Sequence, residues 1–88
     1  MALKTTQTAT NTSNAVEIAS SNLGRRSAVI KNPDTTNAMY IGQADDVDDT
    51  TGFPLAAGES VTIVGYTGDV FAIADAGTPT ACVLEVVE

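Results

Sequence analysis

Ser60-Val61-Thr62-Ile63-Val64-Gly65-Tyr66-Thr67-Gly68-Asp69-Val70-Phe71-Ala72-Ile73-Ala74 decides the fold class. Residues 60–64 alternate polar and apolar with a period of two, as a half-buried strand does. Gly65–Asp69 is rich in turn residues, and Val70–Ala74 resumes an apolar, extended pattern. The segment predicts strand, hairpin turn, strand.

The same texture continues outward in both directions. Ala81-Cys82-Val83-Leu84-Glu85-Val86-Val87 follows the turn Asp75–Pro79 as a last strand. Upstream, Phe53-Pro54-Leu55 is a short extended piece, its Pro assigning it to an edge. Ala38–Gly42, Ser27–Asn32 and Ala15–Ala19 are three further strands. Pro33–Asn37 is short enough to join Ser27–Asn32 and Ala38–Gly42 as a hairpin. No useful helical period occurs. Thirteen Ala and nine Val, with few Leu, Lys, Glu or Gln, favour strands over helices. The expected fold is all-β: a small sandwich or partly open barrel of about six to eight short antiparallel strands. Ile30, Ile63, Ile73 and Leu84, each at the middle of a strand, are the expected core.

Residues 5–14, Thr-Thr-Gln-Thr-Ala-Thr-Asn-Thr-Ser-Asn, carry no apolar face. Residues 1–14 are therefore expected to form a flexible or extended N-terminal arm, and residues 15–88 a single domain. Thr-rich sequence leans extended, so the arm suits strand-like pairing with another chain.

Eighty-eight residues make one domain with a thin margin of stability. Small domains add a disulfide, a metal or a partner chain. A single Cys82 and no His remove the internal disulfide and the usual zinc ligands, which leaves association or a well-packed core. Eleven carboxylates against four bases give a net charge of −7, which opposes binding to nucleic acid or to an anionic membrane. Met1–Lys4 runs straight into polar sequence without the apolar stretch of a signal peptide, so the chain is expected to be made in a cytoplasm.

Asp45-Asp46-Val47-Asp48-Asp49 is the densest cluster of candidate ligands. As an EF-hand loop starting at Asp46 it fails, since Thr51 stands at the glycine position and Ala57 at the bidentate glutamate. It reads as a solvated acidic loop. A Ser, Thr or Cys nucleophile lacks a His base, and the four Phe and Tyr are too few to line a glycoside cleft. No catalytic residue, metal site or cofactor is expected. Around the Pro33–Asn37 turn, Arg25 would fall opposite Asp45 as a cross-strand ion pair. Alternatively, Arg25 or Arg26 grips a carboxylate on another protein. The candidate interface is the arm, Leu3, Lys4, Thr5, Thr6, Gln7 and Thr8, together with Arg25 and Arg26.

Residues 25–32 (RRSAVIKN), 39–42 (MYIG), 52–63 (GFPLAAGESVTI) and 70–74 (VFAIA), in this order and spacing, resemble small β-rich virion proteins of tailed bacteriophages. Many of these are capsid decoration or cement proteins. The resemblance covers about residues 23–88. It implies a sandwich present in many copies on the outer face of a phage head, made in the host bacterial cytoplasm. Its partners would be the major capsid protein and sister copies. A tail or head–tail connector component and, from another class, a carbohydrate-binding module are the alternatives.

Overall fold

A computed structural model describes residues 1–88. Eight strands and no helix make up the chain: β1 (Ala2–Ala9), β2 (Val16–Ala19), β3 (Arg25–Lys31), β4 (Met39–Gly42), β5 (Phe53–Leu55), β6 (Ser60–Val64), β7 (Val70–Ala74) and β8 (Thr80–Val87). They form two four-stranded antiparallel sheets. Sheet A has the order β1-β8-β3-β6, and sheet B the order β2-β7-β4-β5. This is the small open β-sandwich that the alternation predicts.

Strand positions follow the sequence, but their pairing differs from it in three places. Residues 2–9 are extended, yet they lie along β8 of their own chain, with Ala2 opposite Val87 and Ala9 opposite Thr80. They belong to the domain and are not a separate arm. An edge strand needs little apolar surface when its backbone is held by a full ladder, so the polar composition concealed it. Thr10 locks its end: the backbone N–H and the side-chain hydroxyl both donate to the Pro79 carbonyl, at 3.0 and 2.6 Å.

Neither expected hairpin forms. β3 lies in sheet A and β4 in sheet B, and likewise β6 in A and β7 in B. Both short turns carry the chain across the sandwich rather than back along the same sheet. Asn32 anchors the first crossing. Its buried side-chain amide donates to the carbonyls of Asn37 (2.8 Å) and Leu55 (3.1 Å), and its Oδ1 accepts the Asp34 N–H. Asp45 therefore follows a strand of the opposite sheet and makes no pair with Arg25.

Arg25 instead enters the interior. A β-bulge puts two steps of β3, Arg25 to Ser27, against one step of β8, Val87 to Val86. The bulge shifts the phase, so that Arg25 points inward at the head of a strand whose later inward residues are Ala28 and Ile30. Its Nε donates to Glu85 Oε1 at 2.6 Å, with both side chains 1% exposed. The guanidinium also donates to the carbonyls of Gly68 (2.8 Å), Tyr66 (3.3 Å) and Ser20. One side chain thus ties β8, the β6–β7 crossing and the end of β2.

The core comprises Ile18, Ala28, Ile30, Met39, Ile41, Leu55, Val70, Ala72, Ala81 and Val83, with Ala19. Alanines alternate with larger side chains, which lets the sheets approach and interdigitate. Of the expected core residues, Ile30 is fully buried. Ile63 and Ile73 are only partly buried, and Leu84 is 39% exposed. In β8, the inward Glu85 puts Ala81 and Val83 on the same side and turns Leu84 out. In β7, the small Ala72 and Ala74 take the inner positions and Ile73 the outer one.

Ile30→Ala is expected to cost about 2–5 kcal/mol in urea unfolding, and Leu84→Ala less than about 1 kcal/mol. Equal costs would mean that the facing of β8 is reversed. Glu85→Ala strands a buried guanidinium and is expected to cost about 3–5 kcal/mol. Adding Arg25→Met to it should restore part of that loss.

Candidate docking face

Because β8 turns Ala81, Val83 and Glu85 inward, it turns Cys82, Leu84 and Val86 outward. Cross-strand register then assembles the outer face of sheet A in three rows of four. Leu3, Val86, Ser27 and Val64 form the first row. Thr5, Leu84, Val29 and Thr62 form the second, and Gln7, Cys82, Lys31 and Ser60 the third. Residues directly opposite on neighbouring strands share a face, so this grid is a continuous surface.

Its charge sets it apart. Lys31 is the only charged side chain in the grid, and none of the chain's eleven carboxylates lies in it. Large apolar groups stand in water there: Leu3 is 69% exposed and Val64 78%. Val29 and Val86 are half-buried beside them. Exposed apolar groups gathered on one face of a domain of net charge −7 mark a candidate contact surface.

The opposite face is built differently. On sheet B, Glu17, Phe71 and Gly42 share one row, and Tyr40 lies between Ile73 and Pro54. Tyr40 donates to Asp75 Oδ1 at 3.4 Å, and Asp48 and Asp49 border the same hollow. The negative charge of Asp75 beside the Tyr40 hydroxyl, with desolvation and the Tyr40–Asp75 hydrogen bond next, raises its pKa above the ordinary value. Four carboxylates, Glu17, Asp48, Asp49 and Asp75, thus lie on the sheet B side of the molecule.

The acidic loop between β4 and β5 has a structural account. Val47 is buried between Gly42 and Gly52, where an added Cβ would come within 3 Å of the Val47 side chain at either glycine. Asp48 accepts four hydrogen bonds, from the N–H and hydroxyl groups of both Thr50 and Thr51. Those bonds hold its pKa down, from 3.8 to about 2. Asp48, within the acidic cluster, thus closes its own turn, and no group of three or more acidic, Cys or His side chains converges to hold a metal ion.

The sequence-expected interface residues separate into four sets. Leu3, Thr5 and Gln7 fall on the outer face of sheet A, while Lys4, Thr6 and Thr8 point into the seam between β1 and β2 beside Glu17 and Glu85. Arg25 is buried and unable to reach a partner. Arg26 is exposed and pairs with the Glu88 carboxylate, a surface contact of small energetic weight. Leu84, Val86, Val29 and Val64 were missed as interface residues. A signal was present: Val29, Leu84 and Val86 each follow a buried residue along their strands, and Val64 follows the partly buried Ile63.

Comparison of the chain with protein-family models, with curated proteins and with solved structures gives no match.

Asp48→Ala is expected to lower the melting temperature at neutral pH. Asp48 has a folded-state pKa below its unfolded value, so its contribution is present above about pH 4 and lost as the pH falls towards 2. The difference between variant and parent should close over that window in thermal scans. A difference independent of pH would mean that the loss comes from packing rather than from the carboxylate.

Proposed function

We propose that the protein is a non-enzymatic binding module that lays the outer face of sheet A on the outer surface of a tailed-phage head and braces contacts between major capsid subunits. The observation that carries the docking surface is an acid-free grid, half of it apolar, on a chain of net charge −7. The resemblance of about residues 23–88 to small tailed-phage virion proteins, many of them decoration proteins, supplies the class of partner. Electrostatics favours this orientation: the grid can be desolvated without burying carboxylates, while Asp48, Asp49, Asp75 and Glu17 stay in water. Charges held outward also keep decorated particles apart in solution.

The mechanism is mass action. A ligand that binds the assembled lattice and not separated subunits stabilises the lattice by its binding free energy at every occupied site. No bond is made or broken.

Heads incubated with the protein are expected to release DNA at a higher temperature than bare heads. A Leu3→Lys, Leu84→Lys variant should bind heads at least about tenfold more weakly while keeping the parent's melting temperature. Unchanged binding by that variant would remove the grid from the interface. Equal release curves at saturating occupancy would eliminate the bracing role. A stoichiometry of six or twelve per particle, rather than hundreds, would assign the protein to the neck or tail instead.

A further inference from the structure

The two sheets pack against each other along β1 and β2, but along β5 and β6 they part. An open cleft of about 420 Å³ lies there, lined by Ile41, Phe53, Val61, Ile63, Tyr66 and Val70, with no charged side chain. Phe53 stands at its lip, 57% exposed. β6 is one wall of this cleft and an edge strand, paired with β3 on one side only.

The phase of the β3–β6 ladder is fixed at both ends. Gly65 N–H donates to the Arg26 carbonyl at 2.9 Å, and Asn32 N–H to the Glu59 carbonyl at 2.9 Å. In an antiparallel pair, bonded and non-bonded residues alternate. Residues 59, 61, 63 and 65 therefore bond towards β3, and Ser60, Thr62 and Val64 direct their N–H and C=O groups to the open edge.

We infer that this edge is a dimer interface, β6 of one copy pairing antiparallel with β6 of a second about a two-fold axis through Thr62. The strand complements itself in that register. Val61 of each copy meets Ile63 of the other on the inner side, over the apolar cleft. On the outer side Thr62 meets Thr62, and Ser60 meets Val64. Glu59 falls opposite Gly65, so no two carboxylates are opposed although each copy carries −7. The other free edge of sheet A fits less well: pairing through β1 would bury Lys4, Thr6 and Thr8 in the seam beside β2, away from the apolar cleft. Pairing through β6 joins two copies of sheet A into one eight-stranded sheet and covers the mouths of both clefts. The inference is independent of what the outer face binds.

Sedimentation equilibrium of the full chain tests it, with Thr62→Lys, Thr62→Glu and Leu84→Lys variants. Thr62 is exposed and its backbone is free of the β3 ladder, so both substitutions should keep the parent's circular-dichroism melt. The parent is expected to dimerise, and each Thr62 variant to weaken the dimer at least about tenfold by setting like charges on the axis. An equimolar mixture of the Lys and Glu variants should recover a dimer, since opposite charges then meet. Leu84→Lys, on the outer face, should dimerise as the parent does. A parent that stays monomeric up to about 1 mM overturns the proposal and leaves the edge to a strand from another protein. So does a dimer indifferent to Thr62, or one lost in Leu84→Lys, which would assign self-association to the outer face.

Discussion

A guanidinium and a carboxylate held 2.6 Å apart in the interior of a small sandwich govern much of this structure. Taking both ions out of water carries a penalty that the pair repays only with good geometry and further hydrogen bonds. Arg25 meets that condition through three backbone carbonyls besides Glu85. The greater effect is on register. Sliding β8 by one residue would carry Glu85 to the outer face and leave Arg25 buried without its carboxylate. A strand as uniformly apolar as Ala81–Val87 is otherwise weakly specified, because nearly every residue is acceptable on either side. The single acid within it removes that ambiguity.

The candidate docking face is a consequence of the same pair. With Glu85 inward, Ala81 and Val83 supply the core and the larger Leu84 faces water, beside Val29 of β3 and Thr5 of β1. The interior is left to small residues, and the molecule is only 16 Å through its shortest dimension. A sandwich this thin has little core for its surface, and some of its larger apolar groups remain outside. Their placement in one grid, free of carboxylates, separates a surface suited to desolvation from one suited to water.

Secondary structure was legible because period-two alternation and turn residues are local properties. Seven of the eight strands lie within two residues of where the sequence places them. Pro54 also marked β5 correctly as an edge strand, but the step from a local turn to a hairpin failed. Pro33–Asn37 and Gly65–Asp69 reverse the chain, and a reversal serves equally for strands side by side in one sheet or face to face in two. The choice rests on which residues satisfy the crossing, here Asn32 and the carbonyls around Gly68 that Arg25 collects. Two adjacent arginines gave no sign which would be buried, since a bulge decides it. The site was half legible for the same reason: Leu3, Thr5 and Gln7 were flagged as an arm, but the strands that complete their rows depend on a ladder between residues nearly eighty positions apart.

Edge and face are geometrically compatible sites. A strand added to β6 lies in the plane of sheet A, whereas a surface docked on the grid approaches along its normal, so occupying one leaves the other open. The two edges of sheet A are also unequal. β1 carries Lys4 turned into the seam, a charge that a flush second layer would have to bury, and such inward charges discourage edge-to-edge association. β6 carries no charge along its length and has apolar surface beneath it. One edge is therefore guarded and the other is not. Within sheet A, association through β6 closes as a pair, because a two-fold contact uses the same strand of both copies and leaves no further unguarded edge of that sheet to extend a fibre. Such a pair would present two grids side by side. Two weak docking faces on one rigid body bind a repeating lattice with the second contact effectively intramolecular, provided their spacing matches the lattice. That is a route by which a domain of marginal size holds a surface firmly without a larger interface of its own.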